Sequence, residues 1–229
     1  MRKLLNALFI EFKGYKAERK RIPLDRITES TEEDRDKVVV LCKVFEEVCS
    51  QLNRGCFIAP SRIIQTYWRI EESIKDIECR AIDIKNFLHE MAKHNKNNSL
   101  SCNSSLISGA LGLFISALAN KADDEEIELD LMNVGLPPLM CLGCNLVEEK
   151  KLKVYGTLGS FTGVGLDGGK LRVIGGAGPF IGANMRGGEI IIETGTKDSE
   201  DLKKAPKAKI FKIYKDKGRA KIIFKREIA

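Results

Sequence analysis

No apolar run in these 229 residues reaches the roughly 18 to 20 needed to cross a bilayer. The longest, Leu106 to Ala119, is interrupted by Ser108, Gly109, Gly112 and Ser116 and reads as a buried helix. The basic then apolar start, Met1 to Phe12, is broken by Asn6 and Glu11 and is followed by no small-residue cleavage site, so no signal peptide is expected. Histidine is scarce: His89 and His94 are the two present, and a spacing of five does not put both on one helical face. There is no GxSxG elbow, no HExxH helix and no paired-carboxylate motif, so serine-hydrolase and zincin chemistry has no local support. The seven cysteines are odd in number and scattered, which argues against a secreted disulfide framework and for a reducing, cytoplasmic setting.

What is present is unevenly distributed. The net charge of +6 conceals a basic C-terminus, Asp201 to Ala229, at about +8, and a basic start, Met1 to Ile22, at about +5; the span between them is near −7. Most glycines fall between Gly135 and Gly195, whereas the first 120 residues are charged and of helical period. Two domains are expected, a helical one over 1–125 and a glycine-rich one over 135–229.

In the helical part, Ser30-Thr31-Glu32-Glu33 has the form of a capping box. The helix it opens carries Val38, Leu41, Val44, Phe45, Val48 and Leu52 and stops at Arg54-Gly55. A second helix is predicted over about Ser61 to Lys93. Ile63, Tyr67, Ile70, Ile74, Ile77, Ala81, Ile84, Leu88 and Met91 alternate steps of four and three along it, a heptad seam. Such a seam packs against the first helix or against a partner subunit or second copy. An Asn- and Ser-rich loop, Asn95 to Ser105, precedes the third helix, Leu106 to Asn120. The acidic run Asp123 to Glu126 then begins a linker ending near Pro137-Pro138.

Placing Gly159–Ala177 above Gly178–Thr196 reveals a 19-residue repeat, GSFTGVGLDGGKLRVIGGA over GPFIGANMRGGEIIIETGT. Phe161 meets Phe180, Gly163 meets Gly182, Leu166 meets Met185, Gly168-Gly169 meets Gly187-Gly188, Leu171 meets Ile190 and Val173 meets Ile192. One repeat earlier, Met140 to Leu158 keeps apolar places at Leu142, Val147, Leu152 and Val154 but has Glu149-Lys150 for the glycine pair, a degenerate rung. Apolar residues alternate with outward ones in each strand, and a single rung cannot bury its own apolar face, so the units must stack. The predicted fold is α+β: an N-terminal helical bundle, a short right-handed parallel β-helix, and a C-terminal β-hairpin with arms Lys209–Tyr214 and Arg219–Lys225.

Through Gly163-x-Gly165-Leu166-x-Gly168-Gly169 and Gly182-x-x-Met185-x-Gly187-Gly188-x-Ile190-x-Ile192, the stretch from about 140 to 196 resembles the GXGXG-motif β-helix domain. That domain occurs at the C-terminus of the large polypeptide of glutamate synthase and in one of the component polypeptides of formylmethanofuran dehydrogenase. The resemblance implies a non-catalytic scaffold or assembly subunit, associated with a multisubunit oxidoreductase or amidotransferase, and it transfers no catalytic residue.

Three features carry other chemistry. Cys141-Leu142-Gly143-Cys144 is a CxxC, whose thiolates could share a metal (zinc or an iron–sulfur centre) or form a redox pair, with Cys102 as a further ligand; structural thiols are the competing reading. Cys42, Cys49 and Cys56 recur every seven residues, about 10 Å apart on a helix, too far for one ion. Gly163 to Gly168 spells GxGxxG, but a strand pattern follows it where a dinucleotide site needs a helix. The basic C-terminal hairpin reads as a lysine-protected sheet edge or as a surface for nucleic acid.

Overall fold

The computed structural model describes residues 32–96, 104–132, 134–194 and the strand 220–226. The capping-box residues Ser30 and Thr31, the basic start, Cys102 and the first hairpin arm lie outside these residues. Among the described residues four α-helices, α1 (Glu32–Gln51), α2 (Pro60–Ser73), α3 (Ala81–Lys96) and α4 (Ser104–Lys121), precede five strands. The strands are β1 (Glu126–Asp130), β2 (Lys151–Tyr155), β3 (Asp167–Ile174), β4 (Gly187–Thr194) and β5 (Ala220–Arg226). The class is α+β.

The predicted second helix is two. α2 ends at Ser73, with Ile74 as its C-cap, and α3 starts only at Ala81. Its start is fixed by carboxylates: Asp83 Oδ2 accepts from Arg80 N at 2.9 Å, and Asp124 Oδ2 accepts from Ala81 N at 2.6 Å. Arg80 in turn pairs with Asp34 of α1 at 2.7 Å. The heptad pattern runs through the break because both sides face one interior. Ile63, Tyr67, Ile70, Ile74, Ile84, Leu88 and Met91 are buried in it, and Ile77 and Ala81 pack partly buried against it, so most of the 63–91 seam is used within the molecule. Phe45, Phe87 and Phe114 join α1, α3 and α4, with ring centroids 5.2 to 5.7 Å apart.

The five strands form one parallel sheet in chain order. β1 falls where the sequence suggested a linker. Its charged residues disguise a period of two, with Ile127 and Leu129 buried between exposed Glu126, Glu128 and Asp130. The register steps by 19 from Lys151 to Lys170 to Glu189, matching the internal repeat. Two inward columns result, Ile127–Leu152–Leu171–Ile190 and Leu129–Val154–Val173–Ile192, each member at most 1% exposed. Burying one such side chain contributes about 1.5 to 3 kcal/mol. The buried apolar residues of helices and sheet form one continuous cluster, so the compositional boundary near 125–135 does not divide the core.

Outward positions carry charge by rung: acidic on β1, basic on β2 and β3, with Glu189 and Glu193 on β4. Lys153 pairs with Glu128 at 3.4 Å and Arg172 with Glu193 at 2.9 Å. The second arm of the expected hairpin is β5, parallel to β4, with Lys221 in register with Glu189 and Lys225 with Glu193. The basic C-terminal strand therefore lies along an acidic rung of the same molecule.

Candidate functional site

Each strand from β2 to β4 is preceded by a six-residue corner: Cys141–Leu146, Phe161–Leu166 and Phe180–Met185. Within each, the fourth N–H donates to the first carbonyl: Cys144 to Cys141, Val164 to Phe161, Ala183 to Phe180, at 3.1 to 3.3 Å. Positions one, three and five all have left-handed φ. These angles are 61°, 60° and 64° at Cys141, Phe161 and Phe180; 79°, 69° and 62° at Gly143, Gly163 and Gly182; and 55°, 66° and 55° at Asn145, Gly165 and Asn184. Asn is the side chain that tolerates this region best after glycine, which accounts for Asn184 standing opposite Gly165. Corners bond to one another as strands do: Gly163 N donates to Leu142 O, Gly182 N to Thr162 O and Gly165 N to Ala183 O, each at 2.8 Å.

This alignment corrects the reading of the first rung. Its strand follows the step of 19, but its corner lies 20 residues before the next, because a turn closed by Lys150 N to Val147 O (3.0 Å) inserts one residue. Leu142 therefore stacks with Thr162 and not Phe161, and Leu146 takes the place of Leu166. The rung keeps a corner glycine, Gly143.

The CxxC acquires a specific meaning. Cys141 holds the position of Phe161 and Phe180, and Cys144 that of Val164 and Ala183. Both are fully buried. Burial pushes the Cys141 thiol up to about 12, and burial, followed by the neighbouring Cys141 and Glu71, holds the Cys144 thiol well above its ordinary value. Neutral thiols are poor nucleophiles and poor redox partners. His89 and His94 lie on α3 with His94 beside Glu90 at 3.5 Å, and among the described residues no three His, Cys, Asp or Glu side chains form a group that could hold a metal ion. Cys42 is buried on α1, and Cys49 and Cys56 are half-buried.

Helix α4 presses against this first corner. Ser108 Oγ donates to Pro138 O and accepts from Met140 N; Ser116 Oγ accepts from Gly143 N at 2.9 Å and Cys144 N at 3.2 Å. Asn120 Nδ2 donates to Asn145 O and to the Tyr67 hydroxyl, and its Oδ1 accepts from Val147 N. Tyr67 passes the chain to Glu71 at 3.1 Å. Three of the small residues that interrupt Leu106–Ala119, namely Ser108, Gly112 and Ser116, thus face the corner and its entrance, while Gly109 lies against Phe57. The sequence marked them as interruptions only and carried no sign of the polar chain, whose Asn120 bonds span 25 to 53 residues.

We expect the double variant Cys141→Ala/Cys144→Ala to fold and to unfold within about 2 to 4 kcal/mol of the parent, a loss of packing only. The corresponding serines should cost more, because each buries a hydroxyl in an apolar column. Native protein should react with a thiol reagent at neither position until unfolded, measured by mass spectrometry of labelled peptides; fast labelling of either would contradict the structural role.

No family model matches the chain, and no curated protein or solved structure matches it either. Among the described residues no helix is long and apolar enough to cross a membrane.

Proposed function

We propose that the stacked corners and strands are a short right-handed parallel β-helix of the GXGXG type, and that the protein is a non-catalytic scaffold or assembly subunit built on it. The observation that carries this reading is the repetition itself: the same six-residue corner, with the same three left-handed positions, occurs three times and bonds rung to rung. What sets the rungs apart is packing and surface charge. The residue pair with the best claim to chemistry, Cys141 and Cys144, fills core places of that repeat.

In this reading the helices close one end of the stack and the partner belongs to a multisubunit oxidoreductase or amidotransferase, as in the families that the glycine pattern resembles. The setting is the reducing cytoplasm, which an odd count of seven cysteines favours. The test is the state of assembly. Light scattering of the full chain, together with gentle purification from its native cells, should give a homo-oligomer or a stoichiometric partner subunit. A lone monomer in both measurements would overturn the reading.

A further inference from the structure

Trp68, the chain's only tryptophan, is 51% exposed although it lies where α2 meets the first corner. Its position is fixed at one edge. The Asn145 carboxamide, itself nearly buried, accepts from Trp68 Nε1 at 3.2 Å and donates to Gly165 O at 3.1 Å. In this orientation the amide nitrogen is the atom 3.3 Å from Arg186 Nη2, so no hydrogen bond joins the two, and Arg186 pairs instead with Asp167 at 2.9 Å. Ile64, one turn before Trp68, sits against Gly165. The Asn145 carboxamide thus lies between a held, half-open indole and an ion pair whose side chains are 54% and 47% exposed.

The ion pair joins consecutive rungs, and with the half-exposed indole beside it the chemistry of this surface is distinctive. A guanidinium donor and a carboxylate acceptor separated by one hydrogen-bond length match a vicinal diol, which offers an acceptor and a donor on adjacent carbons. The indole supplies an apolar surface for the C–H face of the same ring. Positive and negative charge cancel, which disfavours a phosphate or other anion. We propose that Trp68, Arg186 and Asp167 form a binding site for a neutral pyranose ring of an oligosaccharide, the indole stacking on the ring and the ion pair holding adjacent hydroxyls. The site is shallow, so one ring binds weakly and an oligomer binds better.

Because Trp68 is the sole tryptophan, its emission reports on this site alone. The full chain is titrated with cellohexaose and with maltohexaose, and separately with inorganic phosphate and with AMP. The expected result is a saturable shift in emission with at least one glucan at millimolar concentration or below, weakened tenfold or more in Asp167→Ala and in Arg186→Ala. Both variants alter exposed side chains, and their circular dichroism and melting curves establish that they fold. Calorimetry of Trp68→Ala should show binding lost. No saturable response to either glucan overturns the proposal, as does a response untouched by the two alanine variants. Saturation by phosphate or AMP in place of the glucans overturns it in favour of an anion site.

Discussion

Gly112→Ala should lower the stability of this protein by about 3 to 5 kcal/mol, the reverse of the usual effect of replacing a helical glycine. In the interior of a helix alanine ordinarily gains about 0.5 to 1 kcal/mol over glycine, through backbone entropy. Here a Cβ would stand 1.9 Å from the carbonyl oxygen of Met140 and 3.0 Å from its carbon. The obstacle is backbone at the entrance to the first corner, and it cannot turn aside like a side chain. Either α4 moves off the corner or the corner deforms. Both break the bonds from Ser108 to Met140 and from Ser116 to Gly143 and Cys144. Overpacking of this kind costs several kcal/mol, in the exceptional tail of single substitutions. For a chain of this size that corresponds to a fall in Tm of roughly 10 °C or more. Gly176→Ala is the control: its nearest contact would be the Thr157 methyl at 3.4 Å, without a left-handed φ, and a change within about 0.5 kcal/mol is expected. Urea unfolding of the two variants side by side decides the matter. Gly112→Ala as stable as the parent would mean that helix and corner are not in contact.

What could be read from the amino acids alone divides along the same physical line. The repeat was legible because stacked rungs impose the same demand at the same place each time. Apolar residues recur at Leu152, Leu171 and Ile190, and glycine recurs at Gly163 and Gly182. The break between α2 and α3 was not, because Ile74 and Ile84 are both fully buried and apolar periodicity records burial and not continuity. The start of the second is fixed by two carboxylates, Asp83 three residues from the Arg80 amide and Asp124 43 residues from the Ala81 amide it caps, and no local pattern encodes the second. β1 was hidden by its acidic outward face, which composition reports and alternation overrules. The one-residue insertion before β2 misaligned the first corner and made Cys141 and Cys144 look exceptional. Once Gly143 is set under Gly163, they fall on core positions. The site around Trp68 was invisible for a further reason: Trp68, Asn145, Asp167 and Arg186 come from α2 and successive rungs, and only the stacking brings them together.

That stacking has a limiting point, and it gives the second large effect. Gly188 has φ +84°, and a Cβ there would lie 2.2 Å from Gly169 O, 2.4 Å from Leu166 Cδ2 and 2.7 Å from Gly168 C. The first and last of these are backbone atoms of the preceding rung, so Gly188→Val forces β4 away from β3 at its very start, where the chain leaves the third corner. The left-handed φ adds strain of about 1 to 3 kcal/mol, and the β-branched side chain enlarges the clash. The total should exceed about 4 kcal/mol. Its distribution is more informative than its size. β4 is the template for β5, which pairs with it from Gly188 to Thr194, whereas β1 packs against α3 and the corner that leads into β2 is held by α4. Hydrogen exchange should therefore show protection lost in β4 and β5 while the amides of β2 and α4 stay slow, a local opening from the C-terminal side of the stack. If β2 and β4 lose protection together, the rungs do not rest on one another in sequence, and the glycine corner is not what keeps them at strand spacing.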